Sequence, residues 1–341
     1  MKKSFQLLLL YLCICLCGAS FSLKSHKAKA EILPGKGECV IECNSGRILY
    51  ESHGDLRLPM ASTTKILTAI TVLDAVCDLQ EEIVIPPEAV GIEGSSVYLK
   101  VGDTYTVEEL LYGLMLRSGN DCAVALALAF GGTVADFCTQ MNLTAQKAGA
   151  LNSSFINPHG LPAKNHYTTA RDLCYIARYA MQNPIFRTIV ATKEYPKRHW
   201  SNKNKMLTAC EGAIGIKTGY TKEAGRCLVS GAKRGNMTVI ACVLNCPSMY
   251  ERSISLINDA FKTYHYVPLL TKDSVLPILE QEKKRYGKVL EDYYYPLADG
   301  EKEHLEIRTE PIKTSKMQKS VGQFRIYLAK RLLFSGNLYK L

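Results

Sequence analysis

The chain has 13 cysteines but no C-x-x-C pair and no cysteine–histidine spacing suited to zinc, which excludes metal sites of that kind. It has no low-complexity tract and no obvious internal repeat, so its composition is that of an ordinary globular protein. No apolar run reaches the length of a membrane span, and no long amphipathic helix marks the C-terminus as an anchor. Lysine and arginine outnumber aspartate and glutamate 42 to 32, yet they are scattered and not striped with aromatics, so no nucleic-acid surface is indicated.

What is present begins with a leader. Lys2 and Lys3 precede "FQLLLLYLCICLCGA", an apolar run of the length of a signal-peptide core. "AKA" at Ala28 to Ala30 fits small-x-small cleavage, with a cut near Ala19 or an uncleaved anchor as alternatives. No good lipobox precedes Cys13, Cys15 or Cys17. Residues 1–30 hold five lysines and no acid, so the formal charge of +10 falls to about +5 for a chain starting at Glu31. That charge suits solubility near anionic wall polymers. Cys39 and Cys43 share one expected strand, as do Cys242 and Cys246. Four residues along a strand span about 13 Å, so neither pair can bridge within itself. The cysteines read as small buried apolar residues, with cross-strand disulfides as the alternative.

At 341 residues the chain can hold one large domain and a small one. "GECVIECNSGRILYES" (37–52) predicts strand, turn and strand, with Asn44-Ser45-Gly46 as turn chemistry. A helix is expected from Ser62 to about Val76. "TVEELLYGLMLR" (106–117) is a helix with a capping box, Thr106 and Glu109. Helices follow over 119–130, 134–149 and, after a polar loop, 169–181. Strands return in "GAIGIKTG", "GRCLVSGAKR" and "MTVIACVLNC", the last two joined at Gly235-Asn236, before a closing helix over 248–264. The order predicts an α+β domain whose sheet is built from both ends of the segment, with a helical lobe inserted. A site belongs where lobe and sheet meet. After about Tyr266 short alternating stretches predict a small β-rich module with a terminal hairpin in "VGQFRIYLAKRLLFSGNLYKL".

Three short motifs carry chemistry. Ser62 and Lys65 are three apart at a helix start, so they share a face. A neutral lysine can take the serine proton if burial or a neighbouring cation depresses its pKa, and helix-start N–H groups can stabilise an oxyanion. "RSGN" places Ser118 and Asn120 at an inter-helix turn made possible by Gly119; simple capping is the alternative. "IGIKTGYT" puts Lys217, Thr218 and Gly219 along a strand: a cation, a hydroxyl, and a glycine that lets a substrate backbone approach. Each alone is weak. In this order, each on the element it needs, they match the S-x-x-K, S-D-N and K-T-G set, here with S-G-N.

The chain resembles the low-molecular-mass penicillin-binding proteins of the serine D-alanyl-D-alanine carboxypeptidase (peptidase S11) family. "MASTTKILTA", "GSSVYLKVGDTYTVEELLYGLMLRSGNDCAVALA", "NPHGLPAKNHYTTARDL" and "GIKTGYTKEAGRCLVSGAKR" carry the likeness, dense from about Glu31 to Tyr266. The resemblance implies a β-lactamase/transpeptidase-like domain over 31–266 and a small β-rich domain over 267–341. It implies Ser62 as acylated nucleophile, Lys65 as its base, Ser118 as proton relay and Asn120 as holder of the substrate amide. Lys217 and Thr218 would engage the terminal carboxylate beside Gly219. The N–H groups of Ser62 and Tyr220 would form the oxyanion hole. The implied substrate is a peptidoglycan stem peptide ending in D-Ala-D-Ala; β-lactams would acylate the same serine. No metal or organic cofactor is implied, and membrane contact is expected only through the N-terminal segment.

Three other activities share these motifs. A class A β-lactamase needs an E-x-x-L-N glutamate before K-T-G. Between Ala150 and Gly215 the only glutamates are Glu194 and Glu211, and neither fits. A penicillin-recognising sensor or non-catalytic wall-binding protein would keep the fold and lose turnover, but every motif residue is present. Transpeptidase or endopeptidase action shares the acyl-enzyme and stays open on motifs alone. His159 in "NPHG" reads as a backbone-bonding loop histidine rather than a cleft residue, and Cys122 as packing.

Overall fold

The computed structural model describes residues 32–280, 283–312 and 320–341; the leader lies outside them. Leu33–Leu341 form one compact unit. Its central sheet has five antiparallel strands: β1 (Gly37–Glu42), β2 (Ile48–Ser52), β3 (Ala213–Thr221), β4 (Gly225–Arg234) and β5 (Met237–Leu244), in the order β2-β1-β5-β4-β3. The two ends of the segment thus meet at the β1–β5 pair. The third strand runs along the edge.

The strands β1, β4 and β5 are buried on both faces, and the period of two divides their side chains between two cores. Cys39, Ile41, Val229, Ile240, Cys242 and Leu244 face the helical lobe. Val40, Leu228, Val239, Ala241 and Val243 face Leu256, Ile257 and Ala260 of the closing helix (Met249–Thr263). All ten described cysteines are free thiols, and eight of them are buried apolar side chains in these two cores.

The lobe comprises α1 (Lys65–Ala75), α2 (Val107–Tyr112), α3 (Asn120–Gly131), α4 (Val134–Lys147), α5 (Ala170–Ala180) and α6 (Pro184–Ala191). Residues Lys65 to Leu73 of α1 and the first two turns of α3 are buried all round, as helices at the centre of a core must be. The Thr106–Glu109 capping box forms as the sequence predicts. The remainder of that expected helix, Gly113–Arg117, widens to a π-helix. That widening ends at Ser118, where the chain turns. The helix α6, capped by Asn183 with Pro184 at its first position, was not anticipated.

Past the closing helix, Tyr264–Leu270 pairs with Tyr293–Ala298, and a second antiparallel five-stranded sheet follows. Its hairpin Ser320–Leu328 with Arg331–Tyr339 is the one legible in the C-terminal sequence. Among the described residues no single helix is long and apolar enough to cross a membrane.

Candidate active site

Ser62 lies in a 3-10 turn, Ala61–Thr64, that leads straight into α1. The turn is strained at Ala61, whose φ is 50°, and is fenced in. Thr63 and Thr64 hydroxyls donate to the Met60 and Ala61 carbonyls at 2.7 and 2.9 Å. The His166 ring buttresses the turn, with Nε2 3.1 Å from Thr64 Oγ1 while Nδ1 accepts the Ile156 N–H. An accepting Nδ1 makes Nε2 the protonated nitrogen. Burial pushes His166 down to about 4, so it stays neutral in this role. Gly160, with φ of 93°, is required: a Cβ there would stand 2.0 Å from the Ala61 carbonyl oxygen.

Lys65 is fully buried, and its Nζ has three neighbours. It donates to Asn120 Oδ1 at 2.6 Å and to the His159 carbonyl at 2.7 Å, and lies 3.1 Å from Ser62 Oγ. Two of these neighbours are pure acceptors, which matches the two N–H groups of a neutral amine. The lone pair then faces the serine hydroxyl. Burial, reinforced by Lys217, holds the Lys65 pKa well below the usual lysine range. The geometry and the charge state therefore both suit a base directed at Ser62.

The edge strand β3 supplies Lys217, Thr218, Gly219 and Tyr220. Lys217 is buried, donates to the Thr218 carbonyl at 3.0 Å, and is pushed down to about 7 by burial and then by Lys203. A Cβ on Gly219 would stand 3.0 Å from Ser62 N and from Met60 O. Glycine is thus what lets β3 run beside the serine turn. The Tyr220 side chain itself is exposed.

At the S-G-N motif it is Ser118, with φ of 65°, that takes the left-handed turn, and not Gly119. Gly119 serves close packing instead: a Cβ would stand 2.7 Å from Asp121 Oδ1 and 2.9 Å from Cys122 Sγ. Ser118 and Asn120 are both buried, and Asn120 opens α3 without a side-chain cap at Gly119. Motif geometry, not capping, accounts for Asn120: its Oδ1 is on Lys65 and its Nδ2 donates to the Glu93 carbonyl.

The family described as D-alanyl-D-alanine carboxypeptidase matches residues 24–248. The chain belongs to the D-alanyl-D-alanine carboxypeptidase family. It is 31% identical over 280 residues to D-alanyl-D-alanine carboxypeptidase DacF of Bacillus subtilis, covering 78% of this chain and 70% of that relative. It is 38% identical over 245 residues to the D-alanyl-D-alanine carboxypeptidase of Streptomyces sp. strain K15, covering 65% and 83%. Among solved structures, penicillin binding protein 5 from Haemophilus influenzae superposes with a TM-score of 0.75 at 26% identity, over 91% of this chain and 97% of that one. In this chain antiparallel sheets and a C-terminal β-rich domain accompany the helical lobe.

Several groups of this carboxypeptidase site were not singled out in the sequence. The His159 carbonyl binds Lys65, whereas its ring accepts the Leu161 N–H, as a backbone-bonding loop histidine does. Burial and then Lys65 push the His159 ring down to about 3, so it adds no charge. Lys203, lowered by burial and Arg117, adds a further cation whose field reaches both Lys65 and Lys217. No local signal marks Lys203; only the fold brings its loop to the cleft. Glu194 and Glu211 are exposed, and Glu211 pairs with Arg234.

Proposed function

We propose that the protein is a serine D-Ala-D-Ala carboxypeptidase that removes the terminal D-alanine from peptidoglycan stem pentapeptides. The observation that carries this reading is the Lys65 amine, buried, lowered in pKa, and 3.1 Å from Ser62 Oγ. Ser62 Oγ attacks the penultimate D-Ala carbonyl carbon and its proton passes to Lys65 Nζ. The oxyanion is taken by the N–H groups of Ser62 and Tyr220, a pairing supported by the approach of Gly219 to the serine turn. The C–N bond breaks, D-alanine leaves with a proton relayed through Ser118, and water then hydrolyses the ester. Asn120 holds the substrate amide with the Nδ2 hydrogen not given to Glu93. Lys217 with Thr218 receives the terminal carboxylate; the cations Lys217 and Lys203 favour an anionic chain end. A β-lactam presents the same carbonyl and carboxylate and acylates Ser62.

The lysine-flanked apolar leader supports export to the outer face of the cytoplasmic membrane or the wall of a bacterium. A catalytic domain over 31–266 with a β-rich domain over 267–341 is the division we favour. Incubation of the protein lacking residues 1–30 with a fluorescent penicillin and with diacetyl-Lys-D-Ala-D-Ala tests the reading. Fluorescent labelling and D-alanine release are expected, both lost in Ser62→Ala. Labelling without release contradicts the carboxypeptidase assignment, and no labelling contradicts the site.

A further inference from the structure

Asp121 follows Asn120 and has no task in the steps above. It is 1% exposed, at the first turn of α3. Its carboxylate accepts from Ser96 Oγ at 2.5 Å, from Val97 N at 3.0 Å and from Leu99 N at 3.2 Å, besides its own helix's Cys122 N at 2.9 Å. Three of these donors belong to the strap 93–99 that joins the Glu82–Val84 and Thr104–Thr106 strands. The same strap grips Asn120. The Ser95 carbonyl accepts the Asn120 N–H at 2.7 Å, and the Glu93 carbonyl accepts from Asn120 Nδ2. Gly94, with φ of 93°, lets it pass: a Cβ would stand 2.9 Å from Asn120 Nδ2. Tyr98 beyond it holds a φ of 64° and donates its N–H to Ser96 Oγ, with its ring exposed.

We propose that Asp121 is a positioning residue for the acylation step, its buried carboxylate clamping the strap 93–99 so that the strap fixes the Asn120 amide and, through Oδ1, the Lys65 amine. This rests on the carboxypeptidase reading. The amide of Asn120 has two possible orientations. With the strap carbonyl of Glu93 in place, Nδ2 must face it, and Oδ1 is left for Lys65. Without the strap, either end of the amide can face Lys65, and an amide nitrogen there would compete for the lone pair that takes the serine proton. A carboxylate suits the clamp because it accepts several hydrogen bonds at once, and bonds to a charged acceptor are the stronger kind.

Asp121 also has an electrostatic signature. The titratable groups facing Lys65 are Lys217 from β3, Lys203 from the loop after α6, His159 from the loop before α5, and Asp121 and Cys122 from α3. Cys122 and Asp121 hold the Lys65 pKa up against burial and two lysines, and Asp121 is the carboxylic acid of this set. A neutral isostere removes that support.

The test compares wild type, Asp121→Asn and Ser96→Ala by penicillin acylation against pH and by amide hydrogen exchange at Val97 and Leu99. In Asp121→Asn, exchange at both amides accelerates, the plateau acylation rate falls about ten- to hundredfold, and the acid limb moves to lower pH. Ser96→Ala, which keeps the charge, loosens the strap less and leaves the acid limb in place. Wild-type exchange and an unmoved acid limb in Asp121→Asn would overturn the proposal. Should Asp121→Asn not fold, Ser96→Ala with wild-type exchange and rate overturns it equally. If the wild-type protein itself is not acylated, the carboxypeptidase reading fails, and strap exchange alone decides the clamp.

Discussion

Lys65 shows how a single residue can be made reactive at a cost to stability. Its ammonium form loses hydration on burial and faces Lys217, so the neutral amine is favoured. A lysine buried beside a second lysine is costly to keep, so such a residue marks chemistry rather than packing. The pH dependence follows from the signs. Lys65 acts as base only when neutral, so acylation rises with pH through its depressed pKa. Lys217 serves the substrate carboxylate only when charged, and in the free protein it loses its proton at about 7. A bell-shaped kcat/KM against pH is therefore expected, with its alkaline limb near neutrality in the free enzyme; a bound carboxylate shifts that limb upward in kcat. Lys65→Arg, whose guanidinium cannot become neutral, should lower acylation by about 10²–10⁴-fold. Steady-state rates across pH check both expectations.

At the scale of elements, the site depends on one strand edge lying against one helix start. Gly219→Ala would place a Cβ about 3 Å from Ser62 N, Thr63 N and Met60 O, forcing β3 away from the turn. Penicillin acylation should fall about ten- to hundredfold while the melting transition shifts little. The strand alternation, the capping box at Thr106 and the hairpin at Gly235-Asn236 were legible because each is set by local periodicity or turn chemistry. The pairing of Ser62 with Lys65 was legible for the same reason, since helical spacing alone puts them on one face. What was not legible depends on tertiary approach. The left-handed turn falls on Ser118 because Gly119 is needed to admit Asp121 and Cys122, a contact no local pattern reveals. The helix α6 has an Asn-Pro start, but its eight residues are too few for the apolar periodicity to stand out. The His159 carbonyl and the Glu93 strap are backbone groups, and backbone groups leave no residue-type signal.

For the whole molecule, the catalytic sheet and the C-terminal strands are joined by a compact polar clamp. Arg47, in the β1–β2 turn, donates to the Pro296 carbonyl at 2.6 Å and forms a two-pronged ion pair with Glu301. Its guanidinium lies over the rings of Tyr264 and Tyr295, at 5.0 and 5.4 Å from their centroids. Asn44 adds a bond to the Tyr266 hydroxyl. Arg47→Ala should cost about 2 kcal/mol of stability, since it strands a partly buried Glu301. D-alanine release from a soluble peptide should be unchanged, because the clamp touches none of the cleft residues; thermal melts and a D-alanine assay check the two halves. The account as a whole turns on one bond, the ester at Ser62. Tryptic cleavage after Arg57 and Lys65 isolates Leu58–Lys65, in which Ser62 is the only serine. Peptide mass mapping after benzylpenicillin treatment tests it most directly. An adduct on that peptide, absent from Ser62→Ala, is predicted; an adduct on any other peptide, or none, would contradict the account.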